Sequence, residues 1–174
     1  RTVGTFVPEA KPDRAPRPPA VDIAATVKDY KGDPAVAAGE VFDATPGNLD
    51  ARTQRYALAN GMKVALLPKK TRGATVKLRL QVHQGSEKSL FGKMPAGTLA
   101  AYMLKRGTRK HNRQEIEDSL DGLRSKLGVE GGETSLTLVG ETTRDKLPAV
   151  LTLAAEILRE PSFPAPEFEQ LKRE

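Results

Sequence analysis

The sequence predicts an α+β domain in which a mainly antiparallel sheet carries helices on one face. Three observations favour this class. An Asn60-Gly61 turn signal separates two short apolar segments, the residues from Thr75 to Gln84 alternate between apolar and polar, and apolar residues beyond Pro95 recur at helical spacing. Strands and helices in this order pack as helices over a sheet.

The first two strands are expected on either side of Asn60-Gly61. Leu58 precedes the turn, and the segment from Val64 to Leu67 follows it until Pro68 ends the second strand. Asn-Gly favours a type I′ turn, because both central residues of that turn have positive φ. A β-hairpin with a two-residue turn is therefore predicted here.

Two longer strands are predicted further along the chain. From Thr75 to Gln84 every second residue is Val or Leu, and the residues between them are polar. This period of two is typical of a strand with one face on the core. A threonine-rich strand is expected from Thr134 to Thr143.

Two central helices are predicted from their end signals. Pro95 begins the first helix and Gly107 terminates it, in agreement with the usual preference for Pro at helix starts and Gly beyond helix ends. Asn112 and Glu115 form a capping-box pattern for the second helix. Apolar residues then recur at helical spacing, so this helix is expected to extend to Gly128.

Two further helices are expected near the end of the chain. The segment Leu147 to Leu158 has a broad apolar face, and Thr143 or Asp145 is expected to cap it. Prolines at positions 161 and 164 end that helix. A short helix is expected to begin at Pro166.

The chain is expected to have two parts, a connector over residues 1–50 and a domain over residues 51–174. The connector holds seven prolines, which are incompatible with a central strand or a long helix throughout. Arg1 to Val7 fits a short strand, and Val21 to Tyr30 fits a short helix begun by Asp22. The chain does not start with Met, so we expect it to be part of a longer polypeptide.

Composition excludes several classes of function. The 28 basic residues are dispersed among 22 acidic ones, and only 5 Phe and 3 Tyr are present, so a basic stripe with stacking aromatics for nucleic acid is not expected. The absence of cysteine excludes disulfides and thiolate metal sites. No apolar run approaches the roughly 18 residues of a membrane span.

The order of the predicted elements, with the signature Met103-Leu104 and Gly107-Thr108, resembles the M16 family of zinc metallopeptidases (pitrilysin, insulinase and mitochondrial processing peptidase). The resemblance covers about Leu58 to Glu174. It implies the first part of an M16/LuxS-like metallohydrolase domain. The connector resembles the segment between the two halves of long bacterial members, so the chain is identified as the second, non-catalytic half of such a protein.

The resemblance places a degenerate zinc motif at Thr98, Ala101 and Tyr102. In active members, the helix before the signature carries His-x-x-Glu-His, whose histidines bind zinc and whose glutamate is the general base. Thr98 and Tyr102 are poor zinc ligands, and Ala101 accepts no proton. No catalytic residue and no metal are therefore expected in this chain, and zinc is expected in the active half.

Glutamates and histidines elsewhere in the chain are the remaining candidates for metal ligands. The resemblance implies a third zinc ligand, a glutamate, near or just beyond Glu167, Glu169 and Glu174. The two histidines, His83 and His111, have no carboxylate in metal-ligand register along the sequence. No nucleotide-binding or serine-hydrolase motif is present.

Thr98 and Tyr102 are the candidates for contact with substrate in the cleft. A buried core position is the favoured expectation for Tyr102, and a hydrogen bond to the substrate backbone is the alternative.

The resemblance implies that this domain helps an active M16 half, in the same polypeptide or in a partner subunit, to enclose and bind peptide or unfolded protein. The parent protein is then a zinc metalloendopeptidase through its other half. The alternative is an architectural subunit of a larger complex, with no role in proteolysis. Resemblance to exported bacterial members implies a periplasmic location.

Overall fold

The computed structural model describes residues 4–5, 20–32, 35–132 and 134–174, without the side chain of Met94. The chain divides into two compact units, Arg1–Ala35 and Val36–Glu174. In the first unit, the exposed helix α1 spans Ile23–Val27, and the Asp22 carboxylate caps it by accepting a hydrogen bond from the Ala25 amide. This confirms the short helix begun by Asp22. The strand expected over residues 1–7 lies almost wholly outside the described residues.

The second unit contains the remaining helices and strands. In chain order these are α2 Pro46–Arg52, β1 Gln54–Ala57, β2 Lys63–Leu66, β3 Thr75–His83, α3 Glu87–Leu90, α4 Met94–Leu104, α5 Arg113–Gly122, β4 Lys126–Gly131, β5 Ser135–Thr143, α6 Leu147–Arg159 and α7 Ala165–Leu171. A short 3₁₀ turn, Arg72–Ala74, precedes β3.

All strand pairings are antiparallel within the described ranges. β1 pairs with β2, and a separate three-stranded sheet has the order β3-β5-β4, so that β5 is central and β3 and β4 are its edges. Leu80 and Val129 both lie opposite Leu138 on β5. The predicted α+β class with a mainly antiparallel sheet is confirmed.

One face of the three-stranded sheet forms the core with α4, α5 and α6. Leu138 from the sheet, Ile116 from α5, and Val150 and Ile157 from α6 are almost fully buried in one cluster, which α4 joins through Ala101. The opposite face is largely polar and exposed. Side chains alternate between the two faces along a strand. The apolar residues of β3 therefore share the face that packs against the helices, and its polar residues share the opposite face.

The hairpin turn differs from the prediction. The strands end at Ala57 and resume at Lys63, so the loop has five residues, and only Gly61 among them has positive φ. The type I′ turn is therefore wrong. The Asn60 side chain instead accepts a hydrogen bond from the Met62 amide, which stabilises the longer loop.

The region after α5 is the largest error in the predicted elements. The helix ends at Gly122, Arg124 adopts positive φ, and Lys126–Gly131 forms strand β4 where the helix was expected to extend to Gly128. The capping box itself is confirmed: the Asn112 and Glu115 side chains each accept a hydrogen bond from the other's backbone amide.

Three smaller differences concern helix ends and short helices. α6 begins after Lys146 without a side-chain cap, because the Thr143 hydroxyl donates to Asp145 instead of accepting from the helix. Helices α2 and α3 were not predicted. Backbone hydrogen bonds join residues 37–40 to residues 70–73, which is why the second unit begins before residue 51. The functional boundary between residues 50 and 51 stays a prediction.

Candidate functional site

Helix α4 positions the residues at which the zinc motif is expected. It forms because Pro95 suits the first turn and because Gly107, at φ +155°, allows the chain to leave the helix. A Cβ at Gly107 would lie 2.9 Å from the Ser162 hydroxyl. The Gly107-Thr108 signature therefore lies in the connection from α4 to α5 and packs closely against the segment that precedes α7.

Ala101 and Thr98 lie directly against strand β4. Ala101 is only 1% exposed, and a Cβ added to Gly131 would lie 2.8 Å from the Ala101 Cβ and 2.9 Å from the Thr98 Cα. Helix and strand are thus in contact at the closest approach that glycine permits. The position of a general base thus holds a buried methyl group, which cannot accept a proton.

Tyr102 points away from this contact. It is 52% exposed, so the expectation of a buried core tyrosine is wrong. The helix turns by about 100° per residue, so Tyr102 faces solvent beside the sheet edge when Ala101 faces the sheet. Tyr102 borders a polar depression of about 270 Å³, which we call the Tyr102 cleft. Its lining consists of Ala101, Tyr102, Lys105, Arg106, Arg113, Glu117, Gly128 and Val129.

Thr98 and Tyr102 therefore do not share one site. Thr98 is half-buried against Gly131, and it does not line the Tyr102 cleft. The role of either residue in binding substrate stays a prediction, and the structure gives Tyr102 the more accessible position.

Two arginines that line the Tyr102 cleft, Arg106 and Arg113, form ion pairs with glutamates. Arg106, with only 10% of its side chain exposed, contacts Glu167 at 3.3 Å and Glu174 at 2.5 Å, and Arg113 contacts the same Glu167 at 3.5 Å. The hydrogen bond from Arg106 lowers the pKa of Glu174, although partial desolvation opposes this. Glu169 pairs with Lys172 at 2.7 Å. All three glutamates near the expected third-ligand position thus have basic partners.

The role of Arg106 was not predicted from the sequence. A basic residue between Leu104 and Gly107, at the end of a largely apolar helix, is a signal for a buried ion pair, but its partners lie more than 60 residues away. Local spacing carries no information on such a contact.

The two histidines are in different surroundings. His83 lies on the exposed polar face of β3. His111 contacts Glu156 of α6, with 2.8 Å between Nδ1 and Oε1, and the Thr108 hydroxyl donates to the same carboxylate oxygen at 2.5 Å. This carboxylate was not recognised from the sequence, because it comes from a helix 45 residues further on.

The donor set does not fit zinc. At the motif positions the side chains are a hydroxyl, a methyl and a phenol, whereas protein zinc sites use imidazole, thiolate or carboxylate groups. Within the described ranges, no group of three or more His, Asp or Glu side chains is arranged to hold a metal ion. We therefore derive no chemical step through a metal in this chain.

The arrangement of α4 over an antiparallel sheet is similar to that of solved peptidase structures. An inactive M16 peptidase domain from Pseudomonas fluorescens has a similar structure, with a TM-score of 0.58 and 24% identity over 70% of this chain. A protease from Helicobacter pylori gives a TM-score of 0.59 with 17% identity over 70% of this chain.

The ferredoxin protease FusC, in a mutant form bound to Arabidopsis ferredoxin, gives a TM-score of 0.54 with 19% identity over 74% of this chain. The chain spans 29% of the Pseudomonas and Helicobacter structures and 14% of FusC. No protein-family model matches the chain, and no curated protein is significantly similar to it.

These likenesses show that the chain shares the fold of part of these peptidase structures. Among the described residues, no helix has the length and apolar character needed to cross a membrane.

Proposed function

We propose that this chain is a non-catalytic peptidase-like domain that helps an active M16 half to enclose and bind peptide. One observation carries the proposal: Ala101 packs against Gly131 so closely that the expected catalytic position is closed, while the adjacent Tyr102 cleft is open. A domain with this geometry has no place for the hydrolytic machinery but keeps a surface for substrate.

Strand β4 is the second support for peptide binding. It is an edge of the three-stranded sheet, and its Gly128 lines the Tyr102 cleft. An edge strand offers unpaired backbone groups to which an extended peptide adds as a further strand. Tyr102 and Lys105 line the same cleft as Gly128, and their hydroxyl and ammonium groups are donors for peptide carbonyls.

The proposal includes a partner and a location. The active half supplies zinc and the general base, either in the same polypeptide or as a separate subunit, and the parent protein is a zinc metalloendopeptidase of the periplasm. The fold likeness to FusC, whose structure contains a ferredoxin, supports a folded or unfolded protein as the source of the peptide.

An architectural role is the second candidate, and one observation favours it. The outer face of α4 and the start of α7 form an apolar groove of about 430 Å³ that includes Leu99, Met103, Phe163 and Phe168. Apolar grooves of this kind are typical of protein contacts. An architectural subunit needs such a groove but has no need of the Tyr102 cleft.

Peptide binding by the isolated chain tests the proposal. We expect an unstructured peptide with a fluorescent label to bind with micromolar to millimolar affinity, as measured by anisotropy, and Tyr102→Ala to weaken binding about 3- to 10-fold. Tyr56→Ala is the matched control, because Tyr56 is also a half-exposed tyrosine but lies in the hairpin. Equal affinity of the wild type and Tyr102→Ala, or no binding, would contradict the proposal and favour the architectural role.

A further inference from the structure

A second cavity, of about 240 Å³, lies where β3 begins and β5 ends. We call it the basic cavity. Its charged lining consists of Lys69, Lys70 and Arg144, and its apolar lining includes Ala37, Ala74 and Val76. None of these residues belongs to the Tyr102 cleft or to the helix that carries the degenerate motif.

Backbone hydrogen bonds build the walls of the basic cavity. The Gly73 amide donates to the Ala37 carbonyl at 3.1 Å, and the Glu40 amide donates to the Lys70 carbonyl at 2.9 Å. The Arg144 amide donates to the Ala74 carbonyl at 3.0 Å. Three segments that are distant in sequence are thereby held together, so the cavity is formed before any ligand arrives.

The positive charge of the basic cavity is not neutralised by its own lining, which contains no carboxylate. Within the part of the chain that the structure describes, the Lys70 ammonium and the Arg144 guanidinium have no hydrogen-bond or ion-pair partner. This contrasts with Arg106 and Arg113 in the Tyr102 cleft, which are both paired with glutamates. The Lys69 ammonium is directed outside the cavity: it lies 4.4 Å from the centre of the Phe42 ring, and its charge helps to lower the pKa of Glu40.

Glu40 and Asp145, two carboxylates close to the lining residues, already have partners. Glu40 accepts hydrogen bonds from Arg52 and from the Lys70 amide, and the bond from Arg52 lowers the pKa of Glu40, although desolvation opposes this. Asp145 accepts from the Thr143 hydroxyl and contacts Lys146 at 3.5 Å. Both acids are therefore ionised at neutral pH but committed to other partners.

We infer that the basic cavity binds an oxyanion group, either the carboxylate of an acidic peptide side chain or a free phosphate. The unpaired charges of Lys70 and Arg144 repel one another, and an anion between them relieves that repulsion with charge-assisted hydrogen bonds. The apolar lining suits the methylene groups that carry a side-chain carboxylate. The carboxylate form rests on the proposed function and would anchor acidic segments of the peptide, whereas the phosphate form does not depend on it.

The test is an NMR titration of the complete ¹⁵N-labelled chain at low salt, with inorganic phosphate in one arm and a short glutamate-containing peptide in the other. We expect saturable shifts of the backbone amides of Lys70, Thr71 and Arg144. The double variant Lys70→Gln/Arg144→Gln should weaken binding at least about tenfold. Arg79→Gln/Lys126→Gln removes the same charges from the exposed sheet face, outside the cavity, and should bind as the wild type does.

The two arms distinguish the source of the oxyanion, and circular dichroism shows that each variant is folded. Tighter binding of the peptide assigns a carboxylate, and tighter binding of phosphate assigns the free ion. Shifts that spread over basic residues of the whole surface, equal loss in both double variants, or no saturable shift in either arm would overturn the inference. Normal binding of the glutamate-containing peptide to the Tyr102→Ala variant would show that the basic cavity acts independently of the Tyr102 cleft.

Discussion

Glu156 links the signature turn to helix α6 through a single carboxylate. Only 10% of its side chain is exposed, and its Oε1 atom accepts hydrogen bonds from the Thr108 hydroxyl and from His111 Nδ1. Burial alone would raise the pKa of Glu156, but the bonds from Thr108 and His111, with the nearby charge of Lys110, outweigh it and lower the pKa. The carboxylate therefore stabilises the fold in its ionised form.

We predict that Glu156→Gln lowers the free energy of unfolding by about 1–2 kcal/mol at neutral pH, because it replaces charge-assisted hydrogen bonds. Urea unfolding measures this. Glu169→Gln is the control: its carboxylate is half-exposed and pairs only with Lys172, so we expect a change below about 0.5 kcal/mol. Equal effects of the two variants would show that the Thr108 and His111 contacts do not stabilise the fold.

The same carboxylate predicts a pH dependence. The folded pKa lies below the usual value of 4.5, so the stabilisation is present above pH 4.5 and is lost as the pH falls through the folded pKa. The difference in stability between the wild type and Glu156→Gln should therefore shrink below pH 4.5. A difference that is constant from neutral pH into this acidic range would rule out a pKa shift at Glu156.

At the scale of elements, the contact between α4 and β4 closes the expected catalytic position. We predict that Gly131→Ala destabilises the domain by about 1–3 kcal/mol, because its Cβ would lie 2.8 Å from the Ala101 Cβ and 2.9 Å from the Thr98 Cα. Gly122→Ala, at a helical glycine with nothing within 4 Å, is the control and should be neutral or stabilising. Thermal and urea unfolding compare the two; tolerance of Gly131→Ala would mean that α4 lies further from the sheet.

The capping box of α5 is a second prediction for elements. Asn112→Ala removes the bond between the Asn112 side chain and the Glu115 amide, which should cost about 1 kcal/mol of unfolding free energy. Lys146 occupies the same position in α6 without a side-chain cap, so Lys146→Ala should have a smaller effect. If both substitutions cost the same, the cap does not contribute to the stability of α5.

Several elements were predictable because their signals are local. The alternation of β3 and the Asn112–Glu115 pattern of α5 each arise within about ten residues, and both were confirmed. Strand β4 was not predictable in this way, since Leu127 continues the helical spacing of α5. Pairing with β5 and the positive φ of Arg124 decide its structure, and neither is visible in a local pattern.

The same distinction between local signals and long-range contacts applies to the candidate site. The loss of zinc-binding chemistry at positions 98–102 can be read from the residue types alone. The closure of Ala101 against Gly131 and the exposure of Tyr102 depend on how a helix rotates against a strand 30 residues away. The basic cavity depends likewise on contacts between residues 37, 74 and 144, so it had no signal in the sequence.

At the scale of the whole molecule, the proposed function divides the work of a peptidase between this chain and an active partner. The fold likeness to the inactive M16 domain and to the Helicobacter protease covers 70% of the chain, and the open surfaces include the Tyr102 cleft, the basic cavity and the apolar groove. The Tyr102 cleft is polar, and the basic cavity combines positive charge with an apolar lining, whereas the third surface is apolar. Under the proposed function, the first two surfaces bind peptide and the third contacts a protein neighbour.

The zinc content of the purified chain tests this division most directly. The chain is exposed to equimolar zinc, desalted and measured by elemental mass spectrometry. The account predicts background zinc, because the hydroxyl of Thr98, the methyl of Ala101 and the phenol of Tyr102 cannot replace the ligands and the base of the motif. Stoichiometric retained zinc would contradict it and would direct attention to His111, Glu156 and the glutamates of α7 as ligands.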